Sequence, residues 1–214
     1  NYYGQKIYFS QPEIHFKSSY NTANYSTIIH SGISNHHQES FFGTTEYLAD
    51  QLNYYLKLAV NIDWNNHQLK SGFSYKKLKI NETIIINDDF EKTYGGTYKK
   101  NEQIPALFIE NTFNWNNTTA LITGFRIDKH NLHGILATPR LLLKYNLSEK
   151  SIFRISCGTG WKTINLFSEN INLLGSNENI IIDENLKPEK AINFGLNLLH
   201  SIYFNKIEFQ FIAD

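Results

Sequence analysis

Five residues in one stretch have the types and spacing for chemistry: Trp161, Lys162, Asn165, Glu169 and Asn170. An indole, an ammonium, a carboxylate and two amides can stack, pair charges and hydrogen-bond, which is the chemistry of ligand recognition. They stand where a strand-like run gives way to a polar connection, residues 163–190. Loops held on a rigid scaffold are where binding groups concentrate. The same connection carries Leu166, Ile171 and Leu174, which suggest a small core of its own, with room for one short helix. A loop of this kind can pack over a scaffold and bind at the same time.

Other candidates have a plainer reading. His36-His37 lacks carboxylate or cysteine partners at ligand spacing and reads as a solvated pair in a loop. Asp88, Asp89 and Glu91 form an acidic cluster without EF-hand spacing, which reads as solvated surface. The single Cys157 leaves no internal disulfide and no cysteine cluster, and on the apolar side of a strand it reads as an inert thiol. Neither G-x-S-x-G nor H-E-x-x-H occurs, so no catalytic residue, metal site or cofactor is expected.

The elements that must position the five residues are strands. In residues 51–64, Leu52, Tyr54, Leu56, Leu58, Val60, Ile62 and Trp64 alternate with Gln51, Asn53, Lys57, Asn61 and Asp63. Helical spacing cannot produce that pattern; one apolar face of a strand does. Asn65-Asn66 predicts a two-residue hairpin loop, because asparagine tolerates the left-handed backbone. Apolar residues then fall on odd positions (Leu69, Phe73, Tyr75), which pairs Ile62 with Leu69 and Leu58 with Phe73. Around Asn116-Asn117 they are odd on both sides, Leu107 to Trp115 and Leu121 to Ile127, so a three- or five-residue loop is expected. Leu141, Leu143 and Tyr145 continue the alternation. So do Phe153 to Trp161, Ile192 to Leu198, and Ile207, Phe209 and Phe211, the last three set against Lys206, Glu208 and Gln210. Earlier, Ile14 and Phe16 suggest a strand after Pro12, which suits a strand start or edge. Tyr25, Thr27, Ile29 and Ile33 mark another.

Residues 34–47 and 81–103 are polar and read as loops, and residues 128–136 as a further connection. Connections therefore alternate between short (65–66, 116–117, 147–150) and longer (81–103, 128–136, 163–190). A transmembrane barrel with one plain rim and one elaborated rim has this pattern. An aromatic ring stands beside each short turn: Tyr20, Trp64, Trp115, Tyr145 and Tyr203. Such rings suit a membrane–water interface. The interleaved face carries Glu110, Arg126, Arg140, Lys144 and Arg154, charges that a wet lumen accepts and a sandwich core does not. The expected class is all-β, an antiparallel up-and-down transmembrane β-barrel. Lysine plus arginine, 20, equals aspartate plus glutamate, 20, so no nucleic-acid partner is expected. The chain has no apolar run long enough for a membrane helix, which says nothing against membrane strands. The absence of a basic-then-apolar leader reads as a signal peptide missing or removed.

The wording of residues 154–174 (RISCGTGWKTINLFSENINLL) and 179–197 (NIIIDENLKPEKAINFGLN) resembles the late barrel of TonB-dependent outer-membrane receptors, especially Bacteroidetes-type members. The family form is a strand ending in G-x-G-aromatic-basic, a loop carrying E-N, and a return strand opened by L-K-P-E. ALITGFRIDKHNLHG before ATPRLLLKYNL is similar too, which sets His130 and His133 in a family loop rather than a metal site. The resemblance implies a 22-stranded barrel, of which this chain holds about ten strands. It implies a separate plug domain that contacts TonB, absent here, so residues 1–214 are expected to be one partial barrel domain. It implies import of a nutrient such as a ferric siderophore, corrinoid or glycan with TonB-coupled energy. The expected partners are TonB, the nutrient ligand, outer-membrane lipid and a surface lipoprotein, and the expected location is the bacterial outer membrane. Two other readings stay open. One is a soluble carbohydrate-binding module with Trp161, Trp115 and Tyr54 as stacking platforms; the other is a passive barrel closed at ten strands.

Overall fold

The computed structural model describes residues 4–87, 92–176, 178–183, 186–204 and 207–214. Among them the chain forms eleven strands and one short helix. The strands are β1 (Gln5–Ser10), β2 (Glu13–Asn21), β3 (Tyr25–Phe42), β4 (Thr45–Trp64), β5 (His67–Ile86) and β6 (Gly96–Asn114). They continue as β7 (Thr119–His130), β8 (Gly134–Ser148), β9 (Ser151–Lys162), α1 (Ile171–Leu174), β10 (Glu189–Phe204) and β11 (Ile207–Ala213). All neighbours are antiparallel in one sheet, in chain order from β3 to β11. β1 and β2 both pair with β3, in one unbroken register from Gln5↔Phe42 to Asn21↔Ser26. They are one edge strand interrupted at Gln11 and Pro12, because proline cannot donate to the ladder. Among the described residues the sheet does not close on itself, so they do not form a passive barrel complete at ten strands.

Two turns follow the parity argument. Ile62 pairs with Leu69 and Leu58 with Phe73 across Asn65-Asn66, and Asn65 takes φ 50°. Phe113 pairs with Leu121, and the Trp115 N–H donates to the Thr119 carbonyl at 3.0 Å, leaving a three-residue loop.

Three segments read as loops are strand instead. Residues 34–47 complete β3 and begin β4 around a tight turn at Gly43-Thr44. Residues 81–103 fall largely in β5 and β6, with only 87–95 between them. The connection at 128–136 shrinks to residues 131–133, with His130 paired to Gly134. The reason is common to all three. Above the apolar band the outer face no longer meets an apolar medium, while the inner face mixes charged residues with apolar ones covered by the long connections, so alternation disappears from the sequence while backbone pairing continues. The elaborated rim therefore has two long connections, 87–95 and 163–188. Asp88, Asp89, Glu91 and Lys206 lie outside the described residues.

Register separates the faces. Leu58, Phe73, Leu107 and Ile127 share one row, and Val60, Ile109 and Phe125 another. Leu58 is 40 % exposed, Ile109 47 % and Phe194 83 %. From Leu52 to Trp64, at about 3.3 Å per residue and a tilt of about 40°, this apolar band is on the order of 30 Å high. A continuous apolar face of that size needs a non-aqueous neighbour. Glu110, Arg126, Arg140 and Arg154 take the opposite, polar face. Trp64, Trp115, Tyr145, Tyr203 and Tyr20 all lie at the strand ends beside the short turns. Tyr203 departs from the rest by pointing to the polar face. It pairs with Glu208, and its hydroxyl donates to the Glu208 carboxylate at 3.0 Å, while Phe204 takes the apolar side.

Candidate functional site

The site is built on the polar face at the long-loop rim, above the apolar band. β8 and β9 pair only as far as Arg140↔Gly158, whereas β9 and β10 stay paired to Lys162↔Glu189. The last residues of β9 thus leave β8 and bend over the polar face. Gly158 permits the close pass: a Cβ there would lie 3.3 Å from Arg140 Cβ. Trp161, whose parity predicts the apolar side, consequently reaches over β8. Its indole Nε1–H donates to Asp128 Oδ2 at 3.3 Å, and its ring meets His130 edge-on at 5.8 Å.

From Lys162 the chain crosses toward β6, β5 and β4 as a strap. Phe167 and Leu174, 1 % and 0 % exposed, pack with Phe42, Tyr47, Ala49, Ile84 and Tyr94. Leu166 and Ile171 pack against the same cluster, so the small core expected within the loop is completed by the barrel wall. Helix α1 is one turn and could not stand alone; burial of Leu174 holds it. Tyr47 donates to Glu82 at 2.7 Å, and the Ser168 backbone N–H also reaches the Glu82 carboxylate. Burial raises the Glu82 carboxyl above the ordinary carboxylate range, and burial with the Glu82 contact raises the Tyr47 phenol. A second fastening joins the two long connections. Lys92 Nζ donates to the Ser176 carbonyl at 2.9 Å, and Thr93 donates through N and Oγ1 to Asn179 Oδ1 at 2.9 and 3.1 Å.

At the root of the strap, charged side chains interlock. Lys100 Nζ donates to Asn165 Oδ1 at 2.8 Å, the Ile164 carbonyl at 3.0 Å and Thr163 Oγ1 at 3.3 Å. It also pairs with Glu102 at 3.0 Å, and Thr163 Oγ1 donates to Glu102 Oε2 at 3.2 Å. His130 Nδ1 accepts backbone N–H groups of Leu132 and His133 at 3.0 and 3.4 Å. Its proton therefore sits on Nε2, which faces Glu102 at 3.4 Å. Arg126 grips Asp128 with two nitrogens at 2.7–3.1 Å. Glu102, Asp128 and His130 are each 2 % exposed, so this is a desolvated network in which most charges have a partner.

Beside it lies a cavity of about 430 Å³, its wall including Lys76, Arg126, Asp128, Trp161, Lys162 and Asn165. Of the five expected binding residues, the structure brings four together. Lys162 Nζ donates to Glu169 Oε2 at 2.7 Å, and the Asn165 N–H to Glu169 Oε1 at 3.4 Å. Trp161 is one step away on the cavity wall. Asn170 stands apart as the N-cap residue of α1, its amide donating to the Leu166 carbonyl at 2.9 Å. Lys100, Glu102 and Asp128 were missed because 81–103 and 128–136 looked like loops. Their inward parity, continued upward from Ile104 and Arg126, is the signal that marks them. The three proposed stacking platforms do not converge. Trp115 and Tyr54 lie on the apolar face and Trp161 turns to the polar one. Among the described residues no group of three His, Cys, Asp or Glu side chains is placed to hold a metal. His36 and His37 lie within β3, where His37 meets Asp50 at 2.7 Å.

Lys100 is the post on which the strap turns. Lys100→Met is expected to loosen strap docking by about 3 kcal/mol, the low end for removing one partner of a buried pair, since His130 still faces Glu102. Hydrogen exchange of residues 163–174 measures it. Protection equal to that of the unsubstituted protein would refute the anchoring role.

The sequence matches the family described as "TonB dependent receptor-like, beta-barrel" over residues 2–210. The chain belongs to that family. No curated protein sequence matches it. Among solved structures it is similar to the alcaligin outer-membrane receptor FauA of Bordetella pertussis, with TM-score 0.71 and 10 % identity over 97 % of this chain and 37 % of that one. It is similar to the ferric enterobactin receptor PfeA of Pseudomonas aeruginosa, with TM-score 0.68 and 16 % identity over 92 % of this chain and 33 % of that one. The copper transporter OprC gives TM-score 0.63 and 12 % identity over 90 % of this chain and 36 % of that one. The chain thus spans about a third of the length of each, and at these identities the likeness concerns the fold.

Proposed function

We propose that residues 1–214 are part of the barrel of an outer-membrane active-transport receptor, with a plug domain in polypeptide outside this chain. On this reading the apolar face meets outer-membrane lipid, the short-turn rim faces the periplasm, and the strap rim faces the outside. A nutrient ligand such as a ferric siderophore, corrinoid or glycan binds at the strap and passes through the lumen. TonB, contacting the plug, supplies the energy, and a surface lipoprotein of Bacteroidetes-type receptors is the natural partner at the outer rim. No bond-making chemistry is assigned to the chain.

The observation that carries the reading is a strap fixed over the polar face of a membrane-type sheet. It leaves Trp161, Lys162 and Asn165 at one cavity, with Glu169 hydrogen-bonded to the last two. The named structural relatives are an alcaligin receptor, a ferric enterobactin receptor and a copper transporter, so the cargo is not chosen by fold.

Replacing residues 165–179 by a Gly-Ser link in the intact receptor tests it. Barrel assembly should be normal, because the segment adds no strand pairing. Ligand binding to whole cells should fall at least about tenfold, the scale of one lost polar anchor and its neighbours. Unchanged binding with a normal barrel removes the strap from the recognition surface and moves attention to the 87–95 connection.

A further inference from the structure

A different cluster of side chains forms toward the β2 edge of the sheet, on the polar face of β2, β3 and β4. The row His15↔Gly32↔Tyr55 crosses all three strands, and His30 stands two residues from Gly32 on the same face of β3. Gly32 has no side chain to hold its neighbours apart. A Cβ there would collide with the Tyr55 ring and come within 2.7 Å of His15 Nδ1. The Tyr55 hydroxyl therefore reaches His15 Nδ1 at 3.1 Å and His30 Nε2 at 2.6 Å. The His15 ring is tilted against the phenol at 40°, and the His30 ring meets it edge-on at 81°. Glu13 Oε2 lies 3.4 Å from the far nitrogen of His15, Nε2. With the His15 proton on that nitrogen, its Nδ1 accepts from the Tyr55 hydroxyl, and His30 Nε2–H donates to the same oxygen.

We propose that His15 Nδ1, His30 Nε2 and Tyr55 Oη are three ligands of a divalent transition-metal ion, with Cu²⁺ held most tightly. Imidazole nitrogen suits copper and zinc, and copper leads the divalent series for a given set of donors. Ligands bound at about 2.0–2.1 Å stand about 3 Å from one another, the spacing already found on both sides of Tyr55 Oη. Glu13 takes the place of the carboxylate that receives the outer ring N–H of a metal-bound histidine. Binding releases the phenol proton to solvent and moves the His30 proton to Nδ1, so three lone pairs face one ion. Two lysines flank His30 in the row Lys17↔His30↔Lys57, so the negative charges of the phenolate and Glu13 are what make a dication tolerable. The third donor is a tyrosine, which separates this set from the His, Cys, Asp and Glu trios absent among the described residues. The ion clips β2, which follows the break at Gln11 and Pro12, to β4 across β3.

The test uses the full-length receptor in detergent, stripped with a chelator and titrated with Cu²⁺ alone. Heat-modifiable migration checks barrel assembly. The unsubstituted receptor should bind Cu²⁺ with nitrogen coupling in its paramagnetic resonance and a phenolate-to-copper charge-transfer band in visible light. Tyr55→Phe keeps the ring and should abolish that band while weakening binding about tenfold or more. His15→Ala/His30→Ala should remove the nitrogen coupling of the same ion. Glu13→Gln should weaken binding about tenfold and leave the band in place. Copper binding and spectra unchanged in Tyr55→Phe and in the double histidine variant overturn the proposal and assign the copper to other groups. Where a variant fails to assemble, the unsubstituted receptor decides: the charge-transfer band supports the site, and copper bound without it, or not bound at all, overturns it.

Discussion

Leu58→Arg is expected to destabilise the intact receptor barrel by about 2–4 kcal/mol, because the guanidinium would sit near the middle of the lipid-facing band. Leu58 pairs with Ile29 and Phe73 in a row of apolar side chains, with three apolar positions of β4 on either side of it, Leu52 to Leu56 and Val60 to Trp64. The same substitution three residues away, Asn61→Arg, should cost well under half as much. Asn61 is on the polar face, where its amide donates to Ser26 at 2.8 Å and its cross-strand partner is Lys70. Reversible refolding of the complete barrel into lipid vesicles measures both. Equal losses would mean that the two faces have been assigned the wrong way or that neither meets lipid.

Phe167→Ala should undock the strap without disturbing the sheet. The ring is 1 % exposed between Tyr94 and Tyr98, with centroids 6.5 and 4.8 Å away. Emptying such a site costs about 3–5 kcal/mol, more than a one-turn helix and a few loop hydrogen bonds can offset. Hydrogen exchange should report loss of protection in residues 166–176, with the β4–β6 ladder unchanged, and ligand binding to whole cells should fall with it. Asn170→Ala is the contrasting case. Its amide is exposed and makes one bond within the loop, so a loss of about 1 kcal/mol or less is expected. If Asn170→Ala abolishes ligand binding while α1 stays protected, Asn170 contacts the ligand directly and is more than a cap.

What could be read from sequence follows from where burial forces a pattern. Across the apolar band each strand has one face in a non-polar medium, so Leu52 to Trp64 and Leu107 to Phe113 had to alternate. The parity on either side of Asn65-Asn66 then dictated the observed register. The core of the strap was legible for the same reason, since Leu166, Ile171 and Leu174 were apolar in a polar stretch and needed a place to go. The upper halves of β3 to β6 were not legible. With a polar outer face and an inner face of mixed polar and apolar residues, His36, Asn81 or Lys99 carries no trace of pairing, and only the continuing backbone ladder reveals the strand. Nor could sequence predict that β9 leaves β8 above Gly158. That departure turns Trp161 from the side its parity predicts to the side where it meets Asp128. The network of Lys100, Glu102, His130 and Asn165 joins residues up to 65 positions apart in the chain. Charges at such separation attract only after the strands have been laid side by side, so the tertiary fold alone decided which of them would meet.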